Sequence, residues 1–577
     1  MGTKQAKSKD RVLRLYVLGG LHELGKNMYV FESYDAEDAS KSEYIIVDAG
    51  LKYFGHEEPG IDYAMADYRF LNERKSQIKA LFLSSPHDRH AGAAHQVICN
   101  LEIENIYGSA LTLEVIKPEL DAKTVQKIKW HPLETRQEID LDPFLVTSYY
   151  ITSHTGANYA FLIEAFGKKV FYSGSFKIDQ TPTDGNKTDV AGILSKLTTK
   201  AEFAKVVDLY IGDSTNIETQ GYSKSELDIL PSFRNIFKAN PDNRIIVNTY
   251  DSNVVRIKNL FALAKEFNRK LVLVHRNMRK IVAALTRIGA EGINDDMIIN
   301  LQEAKDHADS ELLILTGAPE DLALESLELI AFDKSLELNL KEGDVLVNSA
   351  DLPPGTVRIM AQISDQCFLR SVKIIGGRNA GVNVESNALT EELKFMFNLT
   401  RPKYFLPALG ETRHLVKHAK LAVETGFDPG SILILDNADV IELADNDVVR
   451  VVEQLKYEEI LYSMMDHYEL EEHLVKSRDL MSREGVVIIS LSINKNKKIV
   501  AGPVFSAKAC TFSKNKEWKA FCMFNTQPIV DAVDALYSGK PEATIQECES
   551  VVRSHMEKVI KQQIGKRPEL IVHASQI

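Results

Sequence analysis

The apolar run Ala80–Leu83 passes directly into Ser84-Ser-Pro-His-Asp-Arg-His-Ala-Gly92. No other stretch restricts the fold as much. A strand that ends in a loop carrying His87 and His90 is a way of presenting metal ligands at the edge of a sheet. Around it lie further short apolar runs, Val12–Leu18, Tyr44–Val47, Phe144–Ile151 and Lys169–Tyr172. Helix-like segments, Met65–Gln77 and Leu111–Ile116, fall between them. Many short strands with interspersed helices predict stacked sheets flanked by helices, an α/β sandwich.

From about Asp208 the rhythm lengthens to strand–helix alternation. Ser223-Lys-Ser-Glu226 reads as a capping box opening a helix to about Ala239. The strand Arg244–Asn248, the helix Val254–Phe267 and the strand Lys270–Val274 then predict a parallel α/β unit. After about Val382 come a helix, Thr390–Leu399, a strand, Tyr404–Pro407, and a helix, Arg413–Thr425. A charged stretch, Val451–Arg478, reads as a connector. The tail holds an alternating strand, Val486–Ile493, then helices near Pro528–Tyr537 and Thr544–Ile564, the last with a capping box of Thr544 and Glu547. A chain of 577 residues exceeds one hydrophobic core, so two or three domains are expected.

Five scattered cysteines without a C-x-x-C pair point to reduced thiols and away from Cys-rich structural zinc. Met1–Arg11 is polar and basic, unlike a signal peptide, and no apolar run has the length of a membrane span. A cytoplasmic protein without a membrane partner is expected. A net charge of −12 argues against unselective coating of nucleic acid. A local basic groove remains open to RNA, with Arg256–Lys258, Arg269–Lys270 and Arg276–Lys280 as candidates, although solvated helix faces explain such runs as well.

The loop can be laid on the metallo-β-lactamase signature His-x-His-x-Asp-His, whose positions are Ser85, His87, Arg89 and His90 here. A later histidine, His154, follows Phe144–Ile151 in Thr-Ser-His-Thr-Gly. The segments Leu18–Tyr29, Ile46-Val-Asp-Ala-Gly-Leu51, Gly174-Ser-Phe-Lys-Ile-Asp-Gln-Thr-Pro182, Asp213-Ser-Thr-Asn216, Ser252–Ile257, Glu391–Lys394 and Lys403–Pro407 carry the resemblance further. Through them the chain resembles ribonuclease J, over essentially its full length. That family is a group of metallo-β-lactamase nucleases with an inserted β-CASP domain.

The resemblance implies a metallo-β-lactamase αββα sandwich with an inserted β-CASP α/β domain and a small α+β C-terminal domain. It divides the chain into a first sandwich part (1–212), the β-CASP domain (213–380), a second sandwich part (381–450), a linker (451–480) and a C-terminal oligomerisation domain (481–577). It implies 5′-to-3′ exoribonuclease activity with some endonuclease activity in rRNA maturation and mRNA turnover. The implied substrate-holding residues are Ser252 and Asn253, together with Asn383, Val384, Glu385, Ser386 and Asn387, which stand where the family has His-x-Ser-Gly-His.

The departures fall on the metal site. Ser85 replaces the first loop His, Arg89 the loop Asp, Ser175 the bridging Asp and Leu409 the last ligand His. Thr316-Gly-Ala-Pro-Glu320 replaces a Gly-Ser-Gln-Gly-Glu-Pro-like segment. His87 and His154 remain for one metal and His90 for the other, below the three protein ligands usual in a catalytic zinc site. The expectation is no cofactor, or a weakly bound divalent ion where the family uses zinc or manganese, with Asp88 or His95 as recruits. His414 and His418 have a chelating spacing, on a helix that is a scaffold element in the family. Arg89 could hold a phosphate in place of metal charge.

Little or no nuclease activity is therefore expected, and no catalytic residue is assigned. The expected role is a catalytically impaired paralogue subunit that binds RNA and complexes with an active ribonuclease J, with itself as a homodimer, or with both. The alternatives are a weak metal-dependent ribonuclease with a rebuilt site and a stand-alone RNA-binding protein.

Overall fold

The apolar runs of the first stretch become two facing sheets because each strand has a face to bury. The structure, a computed structural model, describes residues 11–577 except 36, 55–60, 198–206, 320–321, 323, 336–337, 352–355, 378–379, 445–448, 464–467 and 511–515. Two compact units divide the chain, one spanning Met1–Tyr53 and Tyr63–Ile460, the other Phe54–Asp62 and Leu461–Ile577.

In the larger unit an eight-stranded sheet runs in the order Val449–Gln454, Asp439–Leu443, Arg11–Gly19, Met28–Asp35, Glu43–Val47, Ile78–Phe82, Asn105–Gly108, Lys129–Pro132. It is antiparallel up to Glu43–Val47 and parallel beyond. A six-stranded sheet, Gln137–Leu141, Phe144–Ile151, Asn158–Ala165, Lys168–Tyr172, Val207–Asp213, Pro402–Ala408, faces it. Between them Leu15, Phe31, Val47, Phe82, Phe161, Tyr172, Ile211 and Leu406 form the core. Phe82 and Phe161 meet edge-to-face across it at 5.7 Å, a contact worth roughly 0.5–1.5 kcal/mol beyond the area buried. The helices Val190–Leu197, Thr390–Thr400 and Thr412–Glu424 cover the outer face of the second sheet. Ala110–Ile116 packs on the strand Asn105–Gly108 of the first. The arrangement is the αββα sandwich expected above.

The strands Val207–Asp213 and Pro402–Ala408 are parallel neighbours, with Asp213 opposite Ala408. The whole inserted domain therefore leaves and returns at one end of one sheet. It has its own all-parallel sheet, ordered Ile298–Ile299, Lys270–Leu273, Leu312–Thr316, Ile245–Asn248, Val345–Asn348, Lys373–Ile375. Ile245, Ile246 and Val247 are buried on both faces by flanking helices, so this strand is continuously apolar rather than alternating.

Three expected stretches differ; the one read as a connector, Val451–Arg478, overlaps the edge strand Val449–Gln454 and the helix Glu472–Glu484. Met65–Gln77 is not one helix: Tyr63–Met65 is a strand and Arg69–Gln77 a 3-10 stretch in which only Leu71 is buried. The capping box sits two residues later than expected, on Ser225 and Asp228, and the α-helix proper is Leu230–Ala239. Ser223 instead donates to Glu392, and Glu226 turns inward to Arg256. Pro231 falls in the helix's first turn, where its missing N–H costs nothing.

In the smaller unit Val486–Ile493 is the central strand, antiparallel to Ile499–Lys508 and parallel to Glu569–Gln576. Its alternation buries Val487, Ile489, Leu491 and Ile493 under the helices Lys516–Gly539 and Ile545–Ile564. The segment near Pro528 belongs to the first of these helices, with the proline in its interior. The Thr544–Glu547 capping box forms as read from the sequence. Among the described residues, no helix is long and apolar enough to cross a membrane.

Candidate active site

The strands Glu43–Val47, Ile78–Phe82 and Lys168–Tyr172 end at the same edge of the sandwich, and their following loops meet on Asp48. This residue has a left-handed backbone (φ 63°) and a fully buried side chain. Its Oδ1 accepts the Ser84 amide N–H at 2.7 Å. Its Oδ2 accepts the Ser84 hydroxyl at 2.8 Å, the Tyr172 hydroxyl at 2.6 Å and the His90 Nδ1–H at 2.7 Å. A carboxylate that only accepts fixes the His90 proton on Nδ1. The Nε2 lone pair then faces Ser175 Oγ at 2.8 Å.

The loop is held by its own short helix, Asp88–Ala91, whose N-cap is His87; His87 Nδ1 accepts the Arg89 N–H at 3.1 Å. Ser85 Oγ accepts the His87 N–H at 3.2 Å, so the first replaced ligand serves the turn. Arg89 is buried, and its carbonyl takes the Asn27 backbone and side-chain N–H groups at 3.2 and 2.9 Å. The Asp88 carboxylate accepts the Tyr53 hydroxyl at 3.0 Å, and burial raises its pKa. Burial lowers that of His95.

His154 lies with its ring 5.5 Å from that of His87, and His90 lies 6.5 Å from His87. His154 Nδ1 is 3.3 Å from the Ser386 carbonyl and its Nε2 is 3.5 Å from Ser252 Oγ. The three histidines and Ser252 therefore form one buried cluster. Leu409 is buried in the inter-sheet core with φ 54°. A left-handed backbone suits His better than a branched apolar residue. Among the described residues, no three His, Cys, Asp or Glu side chains are grouped to hold a metal ion.

The segment Asn383–Asn387 is built largely into the protein. Asn383 Oδ1 accepts from Arg256 Nη1 at 2.5 Å, and its Nδ2 donates to Asp351 at 2.7 Å. Val384 is in the core of the inserted domain. Glu385 accepts the Lys224 N–H with its side chain and the Lys177 ammonium with its carbonyl. Ser386 and Asn387 are buried, and Asn387 Oδ1 has no protein partner. Asn253 caps the helix Val254–Glu266 through the Arg256 N–H at 3.0 Å. Within Thr316–Glu320, Thr316 Oγ1 lies 2.8 Å from Ser326 Oγ, while Glu320 lies outside the described residues.

The candidate basic runs are turned partly inward, and the histidine pair does not assemble. Arg256 is buried in an ion pair with Glu226, Arg269 caps carbonyls including Leu312 O, Arg279 caps Val274 O, and Lys280 pairs with Glu119. His414 Nδ1 accepts the Glu411 N–H, whereas His418 Nδ1 faces Ser214 Oγ, so the two rings serve different partners.

Two buried carboxylates near His90, Asp48 and Asp213, were not among the expected site residues. Asp48 was visible only as part of Ile46-Val-Asp-Ala-Gly. Asp213 does organise its turn, accepting the Thr215 N–H at 2.8 Å and hydroxyl at 2.5 Å. Its Oδ2 has no protein partner, and burial pushes its pKa up to about 6.

An αββα sandwich with a parallel α/β domain inserted between two neighbouring strands of one sheet defines a metallo-β-lactamase protein of the β-CASP type. Residues 242–367 match the ribonuclease J β-CASP domain, and residues 473–577 the ribonuclease J C-terminal domain. The chain is 30% identical over 501 residues to ribonuclease J of Synechocystis sp., covering 86% of this chain and 75% of that one. It is 28% identical to ribonuclease J2 of Bacillus subtilis, covering 89% of each chain, and 26% identical to ribonuclease J 2 of Staphylococcus aureus, covering 99% of each. The chain belongs to the ribonuclease J family.

Proposed function

We propose that this chain is a ribonuclease J subunit of RNA processing and decay that holds RNA in its cleft, has little or no metal-dependent hydrolytic activity, and works in complex with an active ribonuclease J. The fate of the replaced ligands carries the reading. Ser85 caps a turn, Ser175 engages His90, and Leu409 packs into the core. With Arg89 as a fixed cation beside His87 and His90, the donors left do not fit a two-metal centre.

An arginine at the loop position where the family has an aspartate adds a positive charge of the kind that suits a phosphate. RNA phosphate is that anion, and its binding should fall steeply with salt. The similarity to two J2-type relatives supports a paralogue acting beside an active enzyme.

The test is metal content by mass spectrometry, with hydrolysis of a 5′-monophosphorylated RNA assayed in added manganese. No bound metal and no manganese-dependent turnover are expected, together with RNA binding that Arg89→Ala weakens. Two metals per chain with turnover would overturn the reading. Mixing with the active ribonuclease J of the same cell should give a larger complex by sedimentation; two separate species would remove the partnership.

A further inference from the structure

Where a bridging carboxylate is lost, the replacing residue has entered a different constellation. Ser175 Oγ, His90 Nε2, His90 Nδ1 and Asp48 Oδ2 are joined in series at 2.8 and 2.7 Å. A hydroxyl next to an imidazole, itself oriented by a buried carboxylate, is the arrangement that activates a serine for nucleophilic attack on unrelated folds. We infer that Ser175, His90 and Asp48 form a metal-independent nucleophilic triad acting on phosphodiesters.

Three features support it. Asp48 accepts four hydrogen bonds, from the Ser84 N–H, the Ser84 and Tyr172 hydroxyls and His90 Nδ1–H, so the carboxylate has one orientation and His90 one tautomer. Ser175 is only partly buried while both its partners are almost fully enclosed, so the nucleophile is the most exposed member of the three. Ser175 also follows a sharp strand-to-loop turn. Gly174 there has φ 58°, and a Cβ on it would lie 3.2 Å from Ser84 Oγ. Such a turn projects a side chain off the end of a strand, as nucleophile-bearing turns do.

The chemistry closes without a further reagent. Ser175 Oγ forms a bond to phosphorus as its proton passes to His90 Nε2. The bond from phosphorus to the leaving nucleoside oxygen breaks, and that oxygen takes the proton from His90. Water then attacks the serine phosphodiester, giving its proton to His90, and the Oγ–P bond breaks as His90 reprotonates Ser175. The phosphodiester as substrate rests on the RNA-binding reading above; the activated serine does not.

The experiment treats the full chain, in excess chelator, with a fluorophosphonate, which forms an Oγ–P bond and releases fluoride only at an activated hydroxyl. Intact mass and peptide mapping should give one adduct, on Ser175. Ser175→Ala should abolish it, and His90→Gln should slow it by about 100-fold or more. Asp48→Asn tests the orienting carboxylate, and each variant is compared only if it unfolds cooperatively at a temperature near that of the parent. Because Ser175→Ala removes one small hydroxyl, its folding is the least at risk, and the site of the parent's adduct decides the matter without any variant. No adduct, an adduct elsewhere, or an unchanged rate in a folded His90→Gln chain overturns the triad. A Ser175 adduct in a chain that does not bind RNA keeps the triad and removes the RNA reading; RNA binding without an adduct does the reverse.

Discussion

The Arg256 guanidinium lies 2.5 Å from Asn383 Oδ1 and is paired with Glu226 at 2.7 Å, in a pocket where Arg256 is only 1% exposed. Asn383, where the resemblance implies a substrate-holding residue, is thereby drawn into the scaffold of the inserted domain. The charge that could have met RNA is spent on Glu226.

Removing Arg256 should be costly out of proportion to its size. Arg256→Met strands Glu226 in the interior, and breaking such a pair costs about 3–5 kcal/mol. Urea unfolding should show the loss, and adding Glu226→Gln should recover a large part of it. A single variant within 1 kcal/mol of the parent would contradict this account.

His418 is a source of acid lability. Burial among Phe397 and Phe405 pushes it down to about 3, while the unfolded chain titrates near 6.5. Between those values the unfolded state binds the proton and the folded state does not. The stability is therefore complete above about pH 6.5 and lost as pH falls toward 3. At pH 4.5 the cost from this group is about 2–3 kcal/mol. Urea midpoints for the parent should fall between pH 7 and 4.5 by more than those of His418→Gln.

Gly50 fixes the histidine loop to the sheet. A Cβ there would come within 1.8 Å of the Arg89 carbonyl oxygen and 2.8 Å of the Asn27 nitrogen. Neither backbone atom can retreat cheaply. Gly50→Ala should destabilise the larger unit by about 2 kcal/mol or more, read as a lower thermal midpoint. An unchanged midpoint would mean that the loop is not seated against Gly50.

Restoring the replaced donors should restore metal binding. The combined variant Ser85→His, Arg89→Asp, Ser175→Asp, Leu409→His places family ligands on a backbone that keeps the left-handed conformation at 409. Metal content by mass spectrometry should rise to about two ions per chain. If a folded combined variant stays metal-free, the scaffold has diverged beyond its ligands.

Much of the fold was legible because strand and helix periodicities are local. Val486–Ile493 alternates in sequence and in burial, and Phe144–Ile151 and Lys270–Leu273 formed within a residue of where their apolar runs lie. The errors came where tertiary partners overrode a local pattern. Ser223 lost its cap role to a bond with Glu392, and Arg256 and Arg269 turned inward to Glu226 and to backbone carbonyls.

The candidate site divides along the same line. From the sequence alone comes the expectation of which ligands are replaced and which histidines remain, because residue identity at motif positions requires no geometry. What the remaining groups do was decided by the tertiary structure. His90 is 42 residues from Asp48 and 85 from Ser175, and Arg256 is 127 from Asn383. Such pairings depend on which strand ends share a sheet edge and on the turn each loop takes. Register and turn geometry are set by the packing of the two sheets around a common core, and no local spacing encodes them.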